Sequence, residues 1–464
     1  MINDKRITLK LKGLAHDGRG IGFLPGHGRG KAVFVSHALP GDTASCRIDK
    51  DCGNFLQATA LEIVDPGPNE LSPKCPHSGI CGGCALQRMP YRLQLSHKEQ
   101  LIKDALGRIG KLNAQRLDEI FRPLEAAPEL VAFRNKISLS FGCSEQGELT
   151  LGFNKLSSNE VFGPRNCILA DSGAFKIARH IEKAANAMRK RSPGFSKNFW
   201  QQLVLRKTNI PGGNNYWLAL LVTGPVSGQE KDHIRELGTE TLAELGDCGA
   251  FIHEITTGGH ARKRLLALKK DHSDNGGAAR LEMWMGGRPF AIDAASFFQV
   301  NSSAAEILAN LVREFDEACS HKAALLDLYC GAGAPGLLLS EKYPYGLGIE
   351  RDRAAIEWAR INAQKEKHWQ FMQGDAGKPA NAQKPGRKFS TALVDPPRSG
   401  LDRRIAQWLN RSNAENLIYI SCNPSTLARD LQTLSQNWRL RQFGSVDMFP
   451  HSPHAECCVL LEKK

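Results

Sequence analysis

Residues Leu325–Gly336 read LLDLYCGAGAPG: a mostly apolar strand pattern leads into Gly331, Gly333 and Gly336 at G-x-G-x-x-G spacing. An apolar strand ending in such a turn, with a helix behind it, lets the backbone approach a ligand closely because glycine carries no side chain. The next apolar strand, GLGIE, ends on Glu350, whose carboxylate can accept hydrogen bonds from both hydroxyls of a ribose. Together they predict a site for an adenosine-containing cofactor. NAD and S-adenosylmethionine both satisfy this pair of signals and both stay open at this point.

Outward from that run, the chain from Pro289 alternates helical and strand patterns: SSAAEILANLVREF, then ALLDLYCGAGAPGLLLSEKY, YGLGIERDRAAIEWARINAQ, STALVDPP, NLIYISCNP and AECCVLLEKK. This predicts a doubly wound, mostly parallel, Rossmann-like α/β domain over residues 289–464, with ligands beyond the carboxyl ends of its strands. Two of these strands end in chemistry. TALVDPPRSGL stops at Asp395-Pro396-Pro397-Arg398, where the prolines end the ladder and leave the carboxylate available. NLIYISCNPSTLARDL ends with Cys422 just before a helix, with Ser425-Thr426 as its expected cap. The helix dipole is expected to favour the Cys422 thiolate, as a nucleophile requires.

Toward the N-terminus, residues 1–67 carry short β-rich runs between glycine-rich turns, the pattern of a small antiparallel barrel. Within it, HDGRGIGFLPGHGRGK combines glycines with Arg19, Arg29 and Lys31, which either approach phosphates or decorate ordinary hairpin turns. Residues 68–288 mix helices and strands into an α+β domain whose topology the pattern leaves undefined. They open with a cysteine loop and an amphipathic helix on Leu95, Ile102, Leu106 and Ile109.

Lys plus Arg exceed Asp plus Glu by 61 to 48, a net charge of +13 that favours a polyanionic partner. The charged start MINDKRITLKLKG lacks a signal-peptide core, and no apolar run approaches the roughly 20 residues of a membrane span. The thirteen cysteines are therefore read in a reducing cytoplasm, as metal ligands or reactive groups. Cys75, Cys81 and Cys84, at C-x5-C-x2-C spacing in CPHSGICGGC, form a metal signal that suits zinc or an iron-sulfur cluster equally.

Taken together, SFFQVN, DLYCGAG, DPPRSGL, ISCNPSTLARDL and DMFPHSPHAE, with FRNKISLSFG and LGFNK upstream, resemble the RNA uracil-5-methyltransferase family, and ALPGDTASCRI resembles its TRAM RNA-binding barrel. The resemblance implies S-adenosylmethionine as methyl donor, Cys422 as nucleophile and Glu456 as catalytic carboxylate. It sets Gln299, Tyr329, Gly331, Gly333, Glu350 and Asp395 around the cofactor and the target base, and Asp375 near the adenine. It also implies a [4Fe-4S] cluster on Cys75, Cys81, Cys84 and Cys167, with a structural role. The barrel and cluster together resemble the branch acting on 23S rRNA, with tRNA as the nearest rival target; neither a membrane nor an obligate protein partner is expected.

At Ala334-Pro335, relatives often carry Asn or Thr, so a side-chain contact to the methionine moiety is expected to be missing. Two other classes compete. An NAD-dependent oxidoreductase with a cluster leaves DPPRSGL and SCNPST without roles. A non-catalytic RNA-binding protein leaves an intact Cys422, Asp395 and Glu456 unexplained.

Overall fold

The computed structural model describes residues 6–24, 30–68, 70–156, 158–191, 199–226, 228–257, 260–268, 280–377 and 388–464. Arg29 of the glycine-rich loop lies outside the described residues. The chain forms two compact units, Met1–Pro128 with Val394–Lys464, and Glu129–Leu393.

The first unit begins with β1 (Arg6–Lys10), β2 (Gly13–Leu14), β3 (Gly20–Leu24), β4 (Lys31–Ser36), β5 (Thr43–Asp51) and β6 (Phe55–Asp65), in sheet order β1-β5-β6-β4-β3-β2. Alternate residues Val33, Val35, Ala44, Cys46, Ile48, Leu56 and Ala58 point into one core. β1 also packs against β3, so the sheet curls on itself. The pairing is not antiparallel throughout, because β6 enters between β5 and β4 and so runs parallel to β4. Two helices follow, α1 (Tyr91–Arg108) and α2 (Ala114–Ile120). The buried face of α1 is Gln94, Lys98, Ile102, Ala105 and Leu106. Leu95 is only half-buried and Ile109, past the end of the helix, is exposed, which corrects the face read from its apolar residues.

The second unit opens with β7 (Lys136–Cys143), β8 (Leu149–Asn154), β9 (Val161–Phe162), α3 (Ser172–Arg191), β10 (Trp200–Lys207), β11 (Trp217–Thr223), α4 (Gly228–Glu244), β12 (Cys248–Thr257) and β13 (His260–Leu268). These build a sheet of order β13-β12-β11-β10-β7-β8-β9 over a core that includes Ile177, Ile181, Leu203, Leu205, Trp217 and Phe251. The hairpin β14 (Leu281–Met285) and β15 (Arg288–Ile292) turns through Gly286 and Gly287, both at positive φ. Then come α5 (Ser302–Glu317), β16 (Leu325–Leu328), α6 (Ala334–Leu337), β17 (Gly346–Glu350), α7 (Arg353–Asn362), β18 (Trp369–Gln373) and β19 (Thr391–Val394). In order β18-β17-β16-β19, this half has β16, β17 and β18 parallel, with helices between successive strands as the alternating pattern predicts.

The chain completes the first unit with α8 (Arg403–Arg411), β20 (Asn416–Ser421), α9 (Pro424–Leu434), β21 (Trp438–Val446) and β22 (Glu456–Lys463). β22 lies between β20 and β21 and is antiparallel to both. Among the described residues no helix is long and apolar enough to cross a membrane.

Candidate active site

In the second unit, the turn after β16 is shaped for close approach. Tyr329, Gly331 and Gly333 all have positive φ (64°, 53° and 86°), and Tyr329 is held there by its N–H donating to Ile349 O at 2.9 Å. A side chain at Gly336 would place its Cβ 2.4 Å from Asp327 Oδ2, which accepts the Gly336 N–H at 3.0 Å. Glu350 ends β17 and receives N–H groups from Gly331 (3.3 Å), Arg351 (2.6 Å) and Asp352 (2.9 Å), which fix its orientation. Pro335 sits in the first turn of α6, where the N–H it lacks has no helical partner to miss. Asp375 is exposed and accepts Gly377 N–H at 2.8 Å.

Gln299 lies in the same unit, buried, on a loop whose carbonyls are gripped from below. Asn135 Nδ2 donates to Gln299 O (3.0 Å) and to Ser302 Oγ (2.9 Å). Fully buried Arg206 donates to Ser296 O (2.9 Å) and Phe298 O (3.2 Å), and Lys136 to Ala295 O (3.0 Å). Burial brings the Arg206 pKa down to about 10, still far above neutrality, so its charge is retained. Sequence reasoning singled out FRNK and SFFQVN but not the fact that one holds the other. Phe297, between these anchors, stays 74% exposed.

The reactive groups meet in the first unit. Register fixes Ser421 opposite Cys457 on β20 and β22, which brings Cys422, the residue after β20, and Glu456, the first residue of β22, to the same end of that pair, and Glu456 is the first charged group that bears on the Cys422 thiol. Glu456 is only 3% exposed. Burial first, then the field of Asp395, pushes its carboxyl well above the usual range, opposed by Arg398. Asp395 is raised to about 7 by burial. The charge of Asp395 thus disfavours ionisation of Glu456, as like charges do.

Cys422 departs from expectation. Burial, then Glu456 and Asp395, raise its thiol from 9.0 to about 11, with only Arg398 pulling down among the charged groups. A helix N-terminus is worth roughly 0.3–1 kcal/mol to a charge, less than the about 1.4 kcal/mol that moves a pKa by one. The helix dipole therefore loses to desolvation and like charge. The cap also differs: Asn423, not Ser425-Thr426, is the N-cap of α9, accepting Ser425 N–H at 3.0 Å, because the helix already starts at Pro424.

The side chains after Cys422 serve the loop after Asp395. Asn423 Nδ2 and Thr426 Oγ1 donate to Arg398 O at 3.1 and 3.2 Å, and Arg429 donates to Ser399 O at 2.9 Å. Asp430 Oδ2 accepts Leu401 N–H (2.8 Å) and the Tyr419 hydroxyl (2.7 Å). Gly400, at φ 77°, passes so close that a Cβ there would lie 2.5 Å from Asp430 Oδ2. SCNPSTLARD and DPPRSGL are thus one construction that fixes Asp395 and Arg398 relative to Cys422. His454, two residues before Glu456, is pushed down to about 4, by burial first and then by Arg398 and Lys98, and is neutral at physiological pH.

Cys75, Cys81 and Cys84 are half-buried on a loop closed by its own hydrogen bonds: Ser78 N–H to Cys75 O (3.1 Å), Cys81 N–H to His77 O (3.0 Å) and Cys75 N–H to Gln87 Oε1 (2.9 Å). Cys167 lies in the other unit, half-buried, its carbonyl accepting Ala170 N–H at 3.1 Å. Among the described residues no group of three or more His, Cys, Asp or Glu side chains converges to hold a metal ion, and no disulfide forms.

The glycine turn after β16 together with Glu350 suits an adenosine-containing cofactor, and known proteins narrow the class to an RNA methyltransferase. A family model described as tRNA (uracil-5-)-methyltransferase matches residues 383–464, and the TRAM domain model matches residues 4–61. An uncharacterized RNA methyltransferase of Clostridium acetobutylicum is 31% identical over 464 residues, covering 94% of this chain and 93% of that protein. Another from Nitratidesulfovibrio vulgaris is 29% identical, covering 94% and 92%. The crystal structure of Pyrococcus abyssi tRNA (uracil-54, C5)-methyltransferase with S-adenosyl-L-homocysteine has the same fold, with a TM-score of 0.70 at 22% identity over 98% of this chain and 100% of that one. The chain belongs to the RNA uracil-5-methyltransferase family.

Proposed function

We propose that this protein methylates C5 of a specific uridine in RNA, and the observation that carries this reading is Cys422 at the end of β20 and buried Glu456 at the start of β22, gathered at one end of that strand pair with the charge of Asp395 acting on both. Uracil C5 is a weak nucleophile until a group adds to C6. The Cys422 sulfur forms a bond to C6, its proton passing to solvent or a nearby carboxylate, and electron density moves onto C5 and O4. S-adenosylmethionine, when bound, supplies an electrophilic methyl group for C5.

C5 then carries both methyl and hydrogen. The carboxylate form of Glu456 takes that proton, the C5–C6 double bond re-forms and the C6–S bond breaks, freeing the enzyme. Gln299, Tyr329, Gly331, Gly333, Glu350 and Asp395 hold the cofactor and the target base, with Asp375 near the adenine. Stacking encloses C5 and C6 in a duplex, so the target enters unstacked. The segments 1–67, 68–288 and 289–464 act as RNA-binding barrel, central domain and methyltransferase domain in cytoplasmic RNA processing.

The favoured target is 23S rRNA, supported by the barrel together with the cysteine loop; the tRNA enzyme among similar structures keeps tRNA as the second reading. The spacing of Cys75, Cys81 and Cys84 supports a metal group there, the family resemblance makes it a [4Fe-4S] cluster with Cys167 as fourth ligand, and iron and sulfide content of anaerobically purified protein decides it. No catalytic step passes through that group. The mechanism is tested with RNA carrying 5-fluorouridine, whose fluorine cannot leave as a proton does. A stable adduct on the Cys422 peptide is expected, none with Cys422→Ala, and an adduct on another residue overturns the assignment.

A further inference from the structure

Glu456 opens β22 at the end of the segment 447–455, which leaves β21 and contains Pro450, Pro453 and a left-handed His451 (φ 66°). Such a segment has little regular structure of its own to fix where the carboxylate sits. Its anchors come from α1. Lys98 Nζ donates to Asp447 Oδ1 at 2.6 Å and to Phe449 O at 3.0 Å, with both side chains of the ion pair at 0% exposure. One turn earlier on the same face, Gln94 Oε1 accepts His451 N–H at 2.9 Å, and its Nε2 donates to Leu86 O (3.1 Å) and Met89 O (2.8 Å). The backbone closes the arrangement through Leu86 N–H to His451 O (2.9 Å) and Asp447 N–H to Glu125 O (2.8 Å). The Tyr91 hydroxyl faces the same Asp447 carboxylate and accepts Ala127 N–H at 2.8 Å.

A buried ion pair is a poor source of stability, because desolvating two charges costs about as much as their attraction returns, and an apolar pair of similar volume often does as well or better. What the pair supplies is one geometry: a charge that can be satisfied only when Asp447, Phe449 and Lys98 meet. We propose that Lys98 and Asp447, seconded by Gln94, are positioning residues that set Glu456 for removal of the C5 proton. The inference rests on Glu456 as the proton acceptor. It makes the helix behind the cysteine loop part of the catalytic machinery, acting on the second half of the reaction and not on the addition of Cys422.

The test is single-turnover reaction of the full chain with unmodified substrate RNA and labelled S-adenosylmethionine, following the denaturant-stable protein–RNA adduct and free methylated RNA separately. Glu456→Gln is the reference and is expected to form adduct and hardly release it; no accumulation there refutes Glu456 as the base. The double variant Lys98→Met with Asp447→Leu removes the charges but keeps an apolar, packed pair. It is expected to melt no lower than wild type and to form adduct within about twofold of the wild-type rate, yet to release product at least about tenfold more slowly, since a displacement of about 1 Å can cost 10²-fold.

If Glu456→Gln accumulates adduct and the double variant releases product at the wild-type rate, positioning by the pair is wrong while the role of Glu456 stands. If formation and release slow in step, the pair is merely structural and the proposal is likewise overturned. Should the double variant fail to fold, Tyr91→Phe, which deletes one hydroxyl beside Asp447, is read in the same way: slowed release alone supports the proposal, and unchanged release overturns it.

Discussion

The resting state of Cys422 can be measured directly by alkylation. With its thiol at about 11 against an ordinary 9.0, the thiolate fraction near neutrality is lower by about 10² than for an exposed cysteine. Part of that deficit returns, because a more basic thiolate is intrinsically more reactive; with a Brønsted coefficient of about 0.45, two pKa steps give back roughly 8-fold. Iodoacetamide is therefore expected to modify Cys422 about tenfold more slowly than a free thiol of ordinary pKa. Thirteen cysteines require peptide-resolved mass spectrometry, so that only the Cys422 peptide is read.

The logarithm of its rate should rise with unit slope from about pH 7 to about pH 10 and not level off in between, as the thiolate alone reacts. Glu456→Gln removes the first charged group opposing ionisation and should bring the plateau down, while Arg398→Gln removes the charged group that favours it and should push it up. A plateau below about pH 8 in the wild-type protein would mean a preformed thiolate, and the dominance of burial and carboxylates over the helix dipole would be refuted.

Asp395 gives a pH signature with the opposite sense to most acids. Its folded pKa is raised, so the folded state holds a proton that the unfolded chain releases, and stability falls as pH rises from the unfolded value near 4 through about 7. The melting temperature of Asp395→Asn should accordingly gain on wild type between about pH 5 and about pH 8; a constant difference contradicts the raised pKa. Gly400→Ala should destabilise by roughly 1–3 kcal/mol in chemical denaturation, since it needs both a left-handed alanine and space occupied by Asp430. A loss under about 0.5 kcal/mol would show that the loop relaxes. Glu350→Gln should weaken S-adenosylmethionine binding in calorimetry by at least about tenfold, the equivalent of one charged hydrogen bond, with the melting curve little changed; equal affinity would remove Glu350 from the cofactor site.

The strands and helices carrying chemistry were legible because each ends in punctuation: glycines after β16, prolines after β19, and Cys-Asn-Pro after β20. The same punctuation marked Glu350 and Asp395 at the carboxyl ends of β17 and β19 and Cys422 just beyond β20. What escaped were polar residues whose role is to hold something else. Lys98 and Gln94 occupy the buried stripe of α1, where apolar periodicity selects Leu95 and Ile109 instead, because a pattern of apolar residues cannot register a buried charge satisfied by a loop some 350 positions away. Arg206 and Asn135 escaped for the same reason, their partners being backbone carbonyls that the sequence does not mark. The sign of the shift at Cys422 was missed because the sequence displays the helix start but not the depth of burial or the charge of Glu456. The parallel pairing of β4 with β6 depends on strand order, which alternation within single strands does not encode.

The most direct test of the central claim is incubation of wild-type protein and Cys422→Ala with labelled S-adenosylmethionine and, separately, unmodified 23S rRNA and tRNA, followed by nucleoside analysis. Label in 5-methyluridine from 23S rRNA, present with the wild-type protein and absent with Cys422→Ala, is the predicted result; label in tRNA alone would move the target. Undiminished methylation by Cys422→Ala, or label in any nucleoside other than 5-methyluridine, would contradict the account.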